Sequence, residues 1–300
     1  MLKTWFISLR PWSFTAAIVP VTLGAFLALN EGFFNVTLFG LSLFASIAIQ
    51  AGTNLINSYG DFISGVDTEE SATTVPFLVK GILKPKQMLG AGILFFALAG
   101  TIGLYLVNLR GWPLLLLGIL GTIGGYTYTA GPVPYKYKGL GSFLVFFLMG
   151  PMMVWGAYFV QTGNHSWTAV WSSLPVAFLV SGILHANDLR DLEFDGKAGI
   201  KTLALMLGRR ISFSLYYALN IAAFLSLFVL ISFGQLPVMS ILPLLLLPRV
   251  RVIFKDTRES WKGNKEKLTL LEATAAQFHF QFGFLLVTGL LANYFLKGGL

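Results

Sequence analysis

Cysteine is absent from the sequence, and charged residues make up only 11% of it. Without cysteine, disulfide bonds and thiolate chemistry are excluded. Average proteins carry about 25% charged residues. This deficit, with 55% hydrophobic residues and a mean hydropathy of +0.73, excludes a soluble protein. The sequence also lacks a Ser-His-Asp order, a P-loop and a dinucleotide-binding fingerprint, which removes the signatures of those hydrolases and nucleotide-binding enzymes.

Long apolar runs fill most of the chain. Several approach the ~20 residues that a helix needs to span a bilayer, and 32 glycines are typical of closely packed membrane helices. We therefore predict an all-α polytopic protein in a lipid bilayer, without a removable signal peptide because the first run lacks a small-residue cleavage site. The nine predicted spans are about 14–30, 36–57, 88–107, 112–129, 142–161, 167–187, 211–233, 236–254 and 276–296.

The eighth span is short and contains Pro243 and Pro248; if it does not cross, the topology downstream inverts. With the N-terminus in the cytoplasm, all of the 21 Lys and Arg except Arg110 and Lys297 lie on the cytoplasmic side. Of the 13 Asp and Glu, only Glu31 lies outside. This asymmetry follows the positive-inside rule. The net charge of +8 therefore indicates basic cytoplasmic loops, and we expect no nucleic acid partner.

Polar residues gather where the sixth span ends. Asn187, Asp191 and Asp195 recur every four residues, a spacing that advances about 40° per step on a helix and forms one stripe. Three hard oxygen ligands on one face indicate a Mg²⁺ site. Arg190 and Lys201 lie in the same stretch, and carboxylates that share a small site with cations indicate a metal with a polyanion such as a diphosphate. The alternative is a solvated loop with chance spacing.

A second acidic pattern follows the second span. Asn57 and Asp61 lie on one helix face. Gly60 and Gly65 favour a break, after which Asp67 folds back towards Asp61. This set mirrors the one at the sixth span and indicates an old duplication. We therefore predict a single membrane domain over residues 1–300 with two motif-bearing halves, about 1–161 and 162–300.

A transporter is the rival class to an enzyme. Transporters place ionisable residues near the membrane midplane, often on broken helices. In this sequence the acids cluster at helix ends on one side, which favours an enzyme. Arg10 has two interpretations: with Trp12 it forms an interfacial anchor, or it faces the substrate.

These motifs resemble the UbiA superfamily of intramembrane aromatic prenyltransferases, and most closely its menaquinone-forming branch, the 1,4-dihydroxy-2-naphthoate prenyltransferases. The resemblance covers roughly the first 210 residues. Three positions depart from the family pattern, namely Ser58, Ser142 and Asp188. The stretches that carry the resemblance are LRPWSF (9–14), NSYGDFISGVD (57–67), YTAGP (128–132), YKYKGLG (135–141) and ILHANDLRDLEFDGKAGIKTLA (183–204).

The resemblance implies nine transmembrane helices around a central cavity, with the motifs on cytoplasmic loops. It implies catalytic roles for Asp61, Asp67, Asp191 and Asp195, which with Asn57 and Asn187 match the family's Mg²⁺-diphosphate residues. It also matches Asn57, Lys136 and Arg190 to residues that bind the substrate. Lys201 is added on charge and spacing alone, and Arg10 is placed to orient the carboxylate of the aromatic acceptor.

The expected reaction is Mg²⁺-dependent transfer of a polyprenyl group from polyprenyl diphosphate to 1,4-dihydroxy-2-naphthoate, with loss of carbon dioxide, giving demethylmenaquinone. Cations neutralise the diphosphate leaving group. An allylic cation needs a dry aromatic cavity, and 27 Phe and 10 Tyr supply suitable rings. We expect the enzyme in a bacterial cytoplasmic membrane with its active site facing the cytoplasm. The alternative acceptors are 4-hydroxybenzoate, homogentisate or a lipid.

Overall fold

The computed structural model describes residues 1–72 and 74–298, and helices account for most of them. Asn35, Ser166 and Asn264 each accept a hydrogen bond from a backbone N–H of the helix that they precede, which satisfies one of its orphan donors. Over the described residues the only strand-like pairing is an isolated parallel bridge between Lys138 and Lys201.

The α-helices are α1 (Leu2–Ser8), α2 (Thr15–Asn30), α3 (Val36–Ile63), α4 (Pro85–Arg110), α5 (Trp112–Tyr126), α6 (Gly141–Phe147), α7 (Met153–Thr162), α8 (Trp167–Ser172), α9 (Leu174–Lys197), α10 (Leu203–Ser232), α11 (Leu247–Trp261), α12 (Lys265–Thr269) and α13 (Leu271–Leu296). Short 3-10 helices cover Pro11–Phe14, Tyr135–Tyr137 and Val238–Leu246, and a π-helical turn, Leu148–Met152, joins α6 to α7.

Seven helical segments within the described ranges are long and apolar enough to cross a membrane. They are Pro11–Asn30, Val36–Ile63, Pro85–Arg110, Gly141–Thr162, Trp167–Lys197, Leu203–Ser232 and Leu271–Leu296. The predicted all-α membrane fold is therefore confirmed, whereas the number nine is not.

Two of the predicted spans account for the difference in number. The predicted fourth span corresponds to α5, an apolar helix of only 15 residues. The predicted eighth is divided between a 3-10 helix that contains Pro243 and the polar helix α11, which begins next to Pro248. Proline removes a backbone donor and clashes with the preceding turn, so it interrupts an α-helix.

The main core positions the acidic helix ends. Its buried residues come chiefly from α2, α9, α10 and α13, and include Leu23, Val180, Tyr216, Phe278 and Phe282. In addition, α3 packs along α4, and α13 packs against α2 and α9. The polar end of α9 and the first turn of α13 are therefore fixed relative to each other by shared apolar packing.

The predicted orientation is open to a direct test, because the natural chain has no cysteine. Single cysteines at Glu69, Asn164 and Lys262 would occupy exposed positions. With the acidic motifs in the cytoplasm, an impermeant thiol reagent should label Asn164→Cys in intact cells, and the other two variants only after permeabilisation. Labelling of Glu69→Cys or Lys262→Cys in intact cells, without labelling of Asn164→Cys, would contradict this orientation.

Candidate active site

The first acidic motif occupies the C-terminal end of α3. The helix continues through Gly60, so the break predicted there is wrong. Gly65 instead takes a left-handed φ of 74°, as glycine does most easily just past a helix end. The backbone N–H groups of Val66 and Asp67 both donate to the carbonyl oxygen of Asp61, at 2.9 and 3.0 Å. The chain therefore folds back here as predicted, and Asp67 returns to the end of the helix.

Gly60 permits a close approach between two segments. A Cβ atom at this position would lie 2.5 Å from the carbonyl oxygen of Thr129, in the turn that follows α5. The same turn contacts the motif through the Asn57 amide, which donates to the Thr129 hydroxyl at 3.3 Å. Since this turn leads directly to Lys136, the spacing at Gly60 sets where Lys136 lies relative to Asp61.

Replacing Gly60 by alanine should lower prenyl-transfer activity about tenfold or more, because the new Cβ displaces the Thr129 turn, and small misplacements of reacting groups cost large factors in rate. Gly40→Ala is the matched control, since Gly40 is on the same helix and has no atom within 4 Å of its Cβ position. Initial rates and melting temperatures of both variants check this. Equal activity of the two variants would show that the approach at Gly60 has no role in positioning.

Asp61 is the centre of a buried polar group. Its Oδ1 accepts a hydrogen bond from the Tyr137 hydroxyl at 2.6 Å, and its Oδ2 accepts one from the Asn57 amide at 2.8 Å. The Lys136 ammonium forms an ion pair with Oδ2 at 3.2 Å. Asp61 and Lys136 are both buried, and this pairing is what makes a charge tolerable there.

The surroundings stabilise the charged form of Lys136. Burial, the largest single effect, lowers its pKa, but the negative charge of Asp61 together with Tyr128, Asp195 and Tyr137 outweighs burial and raises the pKa well above its usual value. The ammonium also lies 5.8 and 5.9 Å from the ring centres of Tyr128 and Tyr137. Burial, followed by the charge of Asp61, raises the pKa of Tyr137, so this hydroxyl remains a donor. Lys136 is therefore a permanent cation beside the acidic motif.

The surroundings of Asp67, in contrast, favour its uncharged form. Burial, followed by the negative charge of Asp61, raises its pKa to about 6, and the cations Arg10 and Lys136 oppose this rise only in part. A carboxyl with this pKa ionises readily when a further cation approaches. A metal ion bound beside Asp67 would lower this pKa and stabilise the ionised carboxylate.

The second motif lies on a single helix, α9, as its spacing predicted. The Arg190 guanidinium donates to both carboxylate oxygens of Asp191, at 2.7 and 2.6 Å. Its third nitrogen, Nη1, forms an ion pair with Glu272 in the first turn of α13. The amide of Asn187 donates to the same Glu272 oxygen at 3.2 Å. Arg190 therefore links α9 to α13.

Sequence reasoning did not identify Glu272 or Tyr137 as site residues. Glu272 has one available signal, a lone acid immediately before the apolar run of the last span. Tyr137 is adjacent to the predicted Lys136 and has no separate signal. Both contact motif residues only through the tertiary fold.

Two cavities meet at this site. The first, the polar cavity, is lined mainly by charged side chains and lies between the two motifs. Its charged and amide lining residues are Arg10, Asp61, Asp67, Lys136, Asn187, Arg190, Asp191 and Glu272. The second, the apolar cavity, has a volume of about 570 Å³ and runs between α3, α4, α5 and α9. Three residues border both cavities, and we call them the neck: Arg10, Asn187 and Glu272.

The structure brings most of the predicted residues to the polar cavity, but not all. Asn57 borders the apolar cavity and reaches the polar group through Asp61. Asp195 is buried and lines neither cavity. Lys201 is exposed and outside both cavities, and its backbone N–H donates to the Tyr137 carbonyl oxygen at 3.3 Å. The functional roles of all these residues stay predictions.

The side chains of the two motifs fit a hard divalent cation. They offer carboxylate and amide oxygens, the ligands that Mg²⁺ prefers. Two buried carboxylate oxygens, Asp188 Oδ1 and Asp195 Oδ2, have no hydrogen-bond partner. In the described part of the chain no three acidic or histidine side chains form a ready metal cluster. Instead, Lys136 and Arg190 hold the carboxylates of Asp61 and Asp191.

The arrangement has a counterpart among known proteins. Residues 17–293, nearly the whole chain, match the UbiA prenyltransferase family. The chain belongs to this family. Membership decides between the two classes left open by the sequence: this UbiA protein is an integral membrane enzyme that transfers prenyl groups, and not a transporter.

Individual relatives cover almost the full UbiA chain. It is 34% identical to the 1,4-dihydroxy-2-naphthoate octaprenyltransferase of Bacillus subtilis (strain 168), over 95% of this chain and 91% of the relative. It is 33% identical to a UbiA prenyltransferase domain-containing protein 1 homolog of Drosophila melanogaster, over 95% of this chain and 79% of the relative.

A solved structure shares the fold. It is that of a UbiA homolog from Archaeoglobus fulgidus bound to GPP and Mg²⁺, which matches with a TM-score of 0.64 over 95% of this chain and 99% of that chain. The sequence identity is 18%, so this likeness establishes the fold alone.

Proposed function

We propose that this UbiA enzyme transfers a polyprenyl group from polyprenyl diphosphate to 1,4-dihydroxy-2-naphthoate, with loss of carbon dioxide and with Mg²⁺, to give demethylmenaquinone in its hydroquinone form. The observation that carries the proposal is the junction, at the neck, of a charged cavity with a large apolar one. A prenyl diphosphate has the same division, a polyanionic head and an apolar tail. The name of the Bacillus subtilis relative supports the choice of acceptor.

The head of the donor belongs in the polar cavity. Mg²⁺, when bound, supplies positive charge to the diphosphate oxygens and stabilises them as a leaving group. The residues that would hold it are the motif amides and carboxylates, Asn57, Asp61, Asp67, Asn187, Asp191 and Asp195. The fold also supports this class of ligand, since the Archaeoglobus fulgidus homolog is described with GPP and Mg²⁺.

Lys136 and Arg190 are the protein's own cations at this site. Each is paired with a motif carboxylate in the structure. A diphosphate that enters the cavity offers them new anionic oxygens, while the carboxylates become free for the metal. Charge-assisted hydrogen bonds from fixed cations strengthen as negative charge develops on the departing diphosphate. We propose that this exchange of partners couples donor binding to catalysis.

The bond changes balance at the neck. The bond between prenyl C1 and the diphosphate oxygen breaks, and its electron pair leaves with the diphosphate. A ring carbon of the acceptor forms the new bond to C1 with a pair of ring electrons. The bond from that ring carbon to its carboxylate then breaks, carbon dioxide leaves, and the returned pair restores the aromatic ring. The lining of the apolar cavity is mostly apolar, and the bound prenyl chain would fill it and keep water from the allylic cation.

The test is product identification. Membranes that contain the enzyme should be supplied with one polyprenyl diphosphate, Mg²⁺ and, separately, 1,4-dihydroxy-2-naphthoate, 4-hydroxybenzoate and homogentisate. Mass spectrometry should find a prenylated, decarboxylated product from the naphthoate. Product from 4-hydroxybenzoate or homogentisate alone would overturn the acceptor assignment and leave family membership intact.

Arg10 is proposed to bind the acceptor's carboxylate. It borders both cavities, and its Nη2 donates to the neutral hydroxyl of Ser58 at 3.2 Å. No carboxylate among the described residues forms a salt bridge with it. It is also the one non-glycine residue with positive φ in the described chain, at 52°. Such backbone strain persists at functional sites, where the surrounding structure enforces it.

Replacing Arg10 by alanine should raise the KM for the aromatic acid about tenfold, because a hydrogen bond to a charged group is lost. The KM for the prenyl donor should change much less. Lys3→Ala is the control, since Lys3 is an exposed cation of the same N-terminal segment. Steady-state kinetics with each substrate varied in turn checks this. A larger effect on the donor KM would reassign Arg10 to the diphosphate.

A further inference from the structure

Glu272 occupies an unusual place among the acids of this site. Four acidic residues line the polar cavity in the described chain, namely Asp61, Asp67, Asp191 and Glu272. Of these four, only Glu272 also borders the apolar cavity. The other three belong to the two motifs, whereas Glu272 comes from α13 and follows no motif. Its position at the neck therefore indicates a role different from that of the motif carboxylates.

The neck is where the two substrates must meet. If the diphosphate lies in the polar cavity and the prenyl chain in the apolar one, prenyl C1 lies between them. The attacking ring must then approach within about 3–3.5 Å of C1. The side chains of the neck are consequently the ones that surround the acceptor, and Glu272 is the only anion among them.

The hydrogen bonds of Glu272 leave one oxygen available. Asn187 and Arg190 both donate to Oε2. Oε1 has no hydrogen-bond partner among the residues that the structure describes, and it is not among the buried unpartnered atoms. A carboxylate accepts hydrogen bonds but donates none when ionised. The position of Oε2 is thus fixed by two donors while Oε1 remains open to a third.

The charge of Glu272 selects what that third donor is. A second carboxylate or a diphosphate oxygen would be repelled, since like charges at close range disfavour each other. A hydroxyl group on an aromatic ring offers a donor and no charge. Arg10, on the same neck, offers the complementary cation for an acid group. Together they match an aromatic acid that carries both a carboxylate and a free ring hydroxyl.

We propose that Glu272 is a specificity residue for the acceptor, whose Oε1 accepts a hydrogen bond from a ring hydroxyl while Asn187 and Arg190 hold Oε2. This role rests on the proposed function and adds to it the requirement for a free hydroxyl. It separates Glu272 from the motif carboxylates, which serve the diphosphate end.

The test compares full-length wild-type enzyme with Glu272→Ala and Glu272→Gln, each purified with lipid. The acceptor KM of Glu272→Ala should rise roughly tenfold, from loss of a hydrogen bond to a charged group. The donor KM should stay equal or fall, because Arg190 keeps Asp191 and one negative charge leaves the cavity edge. Glu272→Gln retains an accepting oxygen and should show a smaller rise, which also provides the comparison if the alanine variant does not fold. Gln277→Ala, exposed on the same helix, is the control.

A second readout distinguishes the hydroxyl contact from a structural role. The two monomethyl ethers of the acceptor should be tested as inhibitors. For the ether that lacks the contacted hydroxyl, the inhibition constant should be the same in wild type and Glu272→Ala. The proposal is overturned if, in Glu272→Ala, the inhibition constants of both ethers rise by the same factor as the acceptor KM. It is also overturned if only the donor KM rises. Wild-type enzyme that prenylates no hydroxylated aromatic acid would overturn the proposed function itself, together with this role.

Discussion

Replacement of Asp61 or Asp191 by asparagine should lower kcat/KM for the prenyl donor by about 100-fold or more. Each carboxylate lines the polar cavity, and each is held by a cation that the diphosphate is proposed to take over. Asparagine keeps the size of the side chain and removes one negative charge from the proposed Mg²⁺ site. Loss of a single preorganised electrostatic contact in an active site costs about 10²–10³ in rate. Initial rates at several Mg²⁺ concentrations measure the effect.

Glu193→Gln is the matched control for these variants. Glu193 lies on α9 two residues beyond Asp191, is exposed, and lines neither cavity. Its replacement should change the rate less than twofold, since exposed charges interact weakly. Melting temperatures belong beside the rates, because Asp61→Asn leaves the buried Lys136 ammonium without its carboxylate, and breaking such a pair costs about 3–5 kcal/mol. A Glu193→Gln variant as inactive as Asp191→Asn would contradict the assignment of the motif face.

Replacement of Lys136 by methionine should lower kcat by about 100-fold. The side chain keeps most of its length and loses the cation that is buried against Asp61 and whose charged form the site stabilises. The proposed task of this cation is to stabilise the departing diphosphate, so the loss should fall on the chemical step more than on substrate binding. Single-turnover rates with saturating substrates measure it.

Lys138→Met provides the comparison, because Lys138 is two residues away in the same loop and exposed. Its rate should match the wild type. If both lysine variants lose the same activity, the loop as a whole is disturbed, and the specific pairing of Lys136 with Asp61 is not the cause. Lys136→Arg keeps the positive charge on a longer side chain. It should be more active than Lys136→Met but less active than the wild type, because the site is buried.

Local periodicity predicted the parts of this site that one helix can define. Asn187 and Asp191 line the polar cavity together, as expected for side chains four residues apart on one helix, whereas Asp195, on the same helix, lines neither cavity. Seven of the nine predicted spans followed from hydropathy, since a bilayer requires a minimum apolar length. Gly65 was a reliable signal because a left-handed φ past a helix end favours glycine.

Contacts between distant segments could not be predicted in this way. Glu272 reaches Arg190 across 82 residues of chain, and Tyr137 reaches Asp61 across 76. No pattern in the sequence relates such positions. Gly60 was misread for the same reason: alone in a helix it indicates a break, but the approach of Thr129 is what requires glycine. Tertiary packing routinely overrides local propensity.

The central claim is that the polar cavity holds the diphosphate, the apolar cavity holds the prenyl chain, and the neck holds the reacting carbon. An experimental structure with Mg²⁺ and a non-cleavable prenyl thiodiphosphate measures this most directly. We expect both phosphorus atoms between Asp61 and Asp191, with Lys136 and Arg190 turned towards them, and C1 beside Glu272. A diphosphate bound outside the two motifs, or a prenyl chain outside the apolar cavity, would contradict the account.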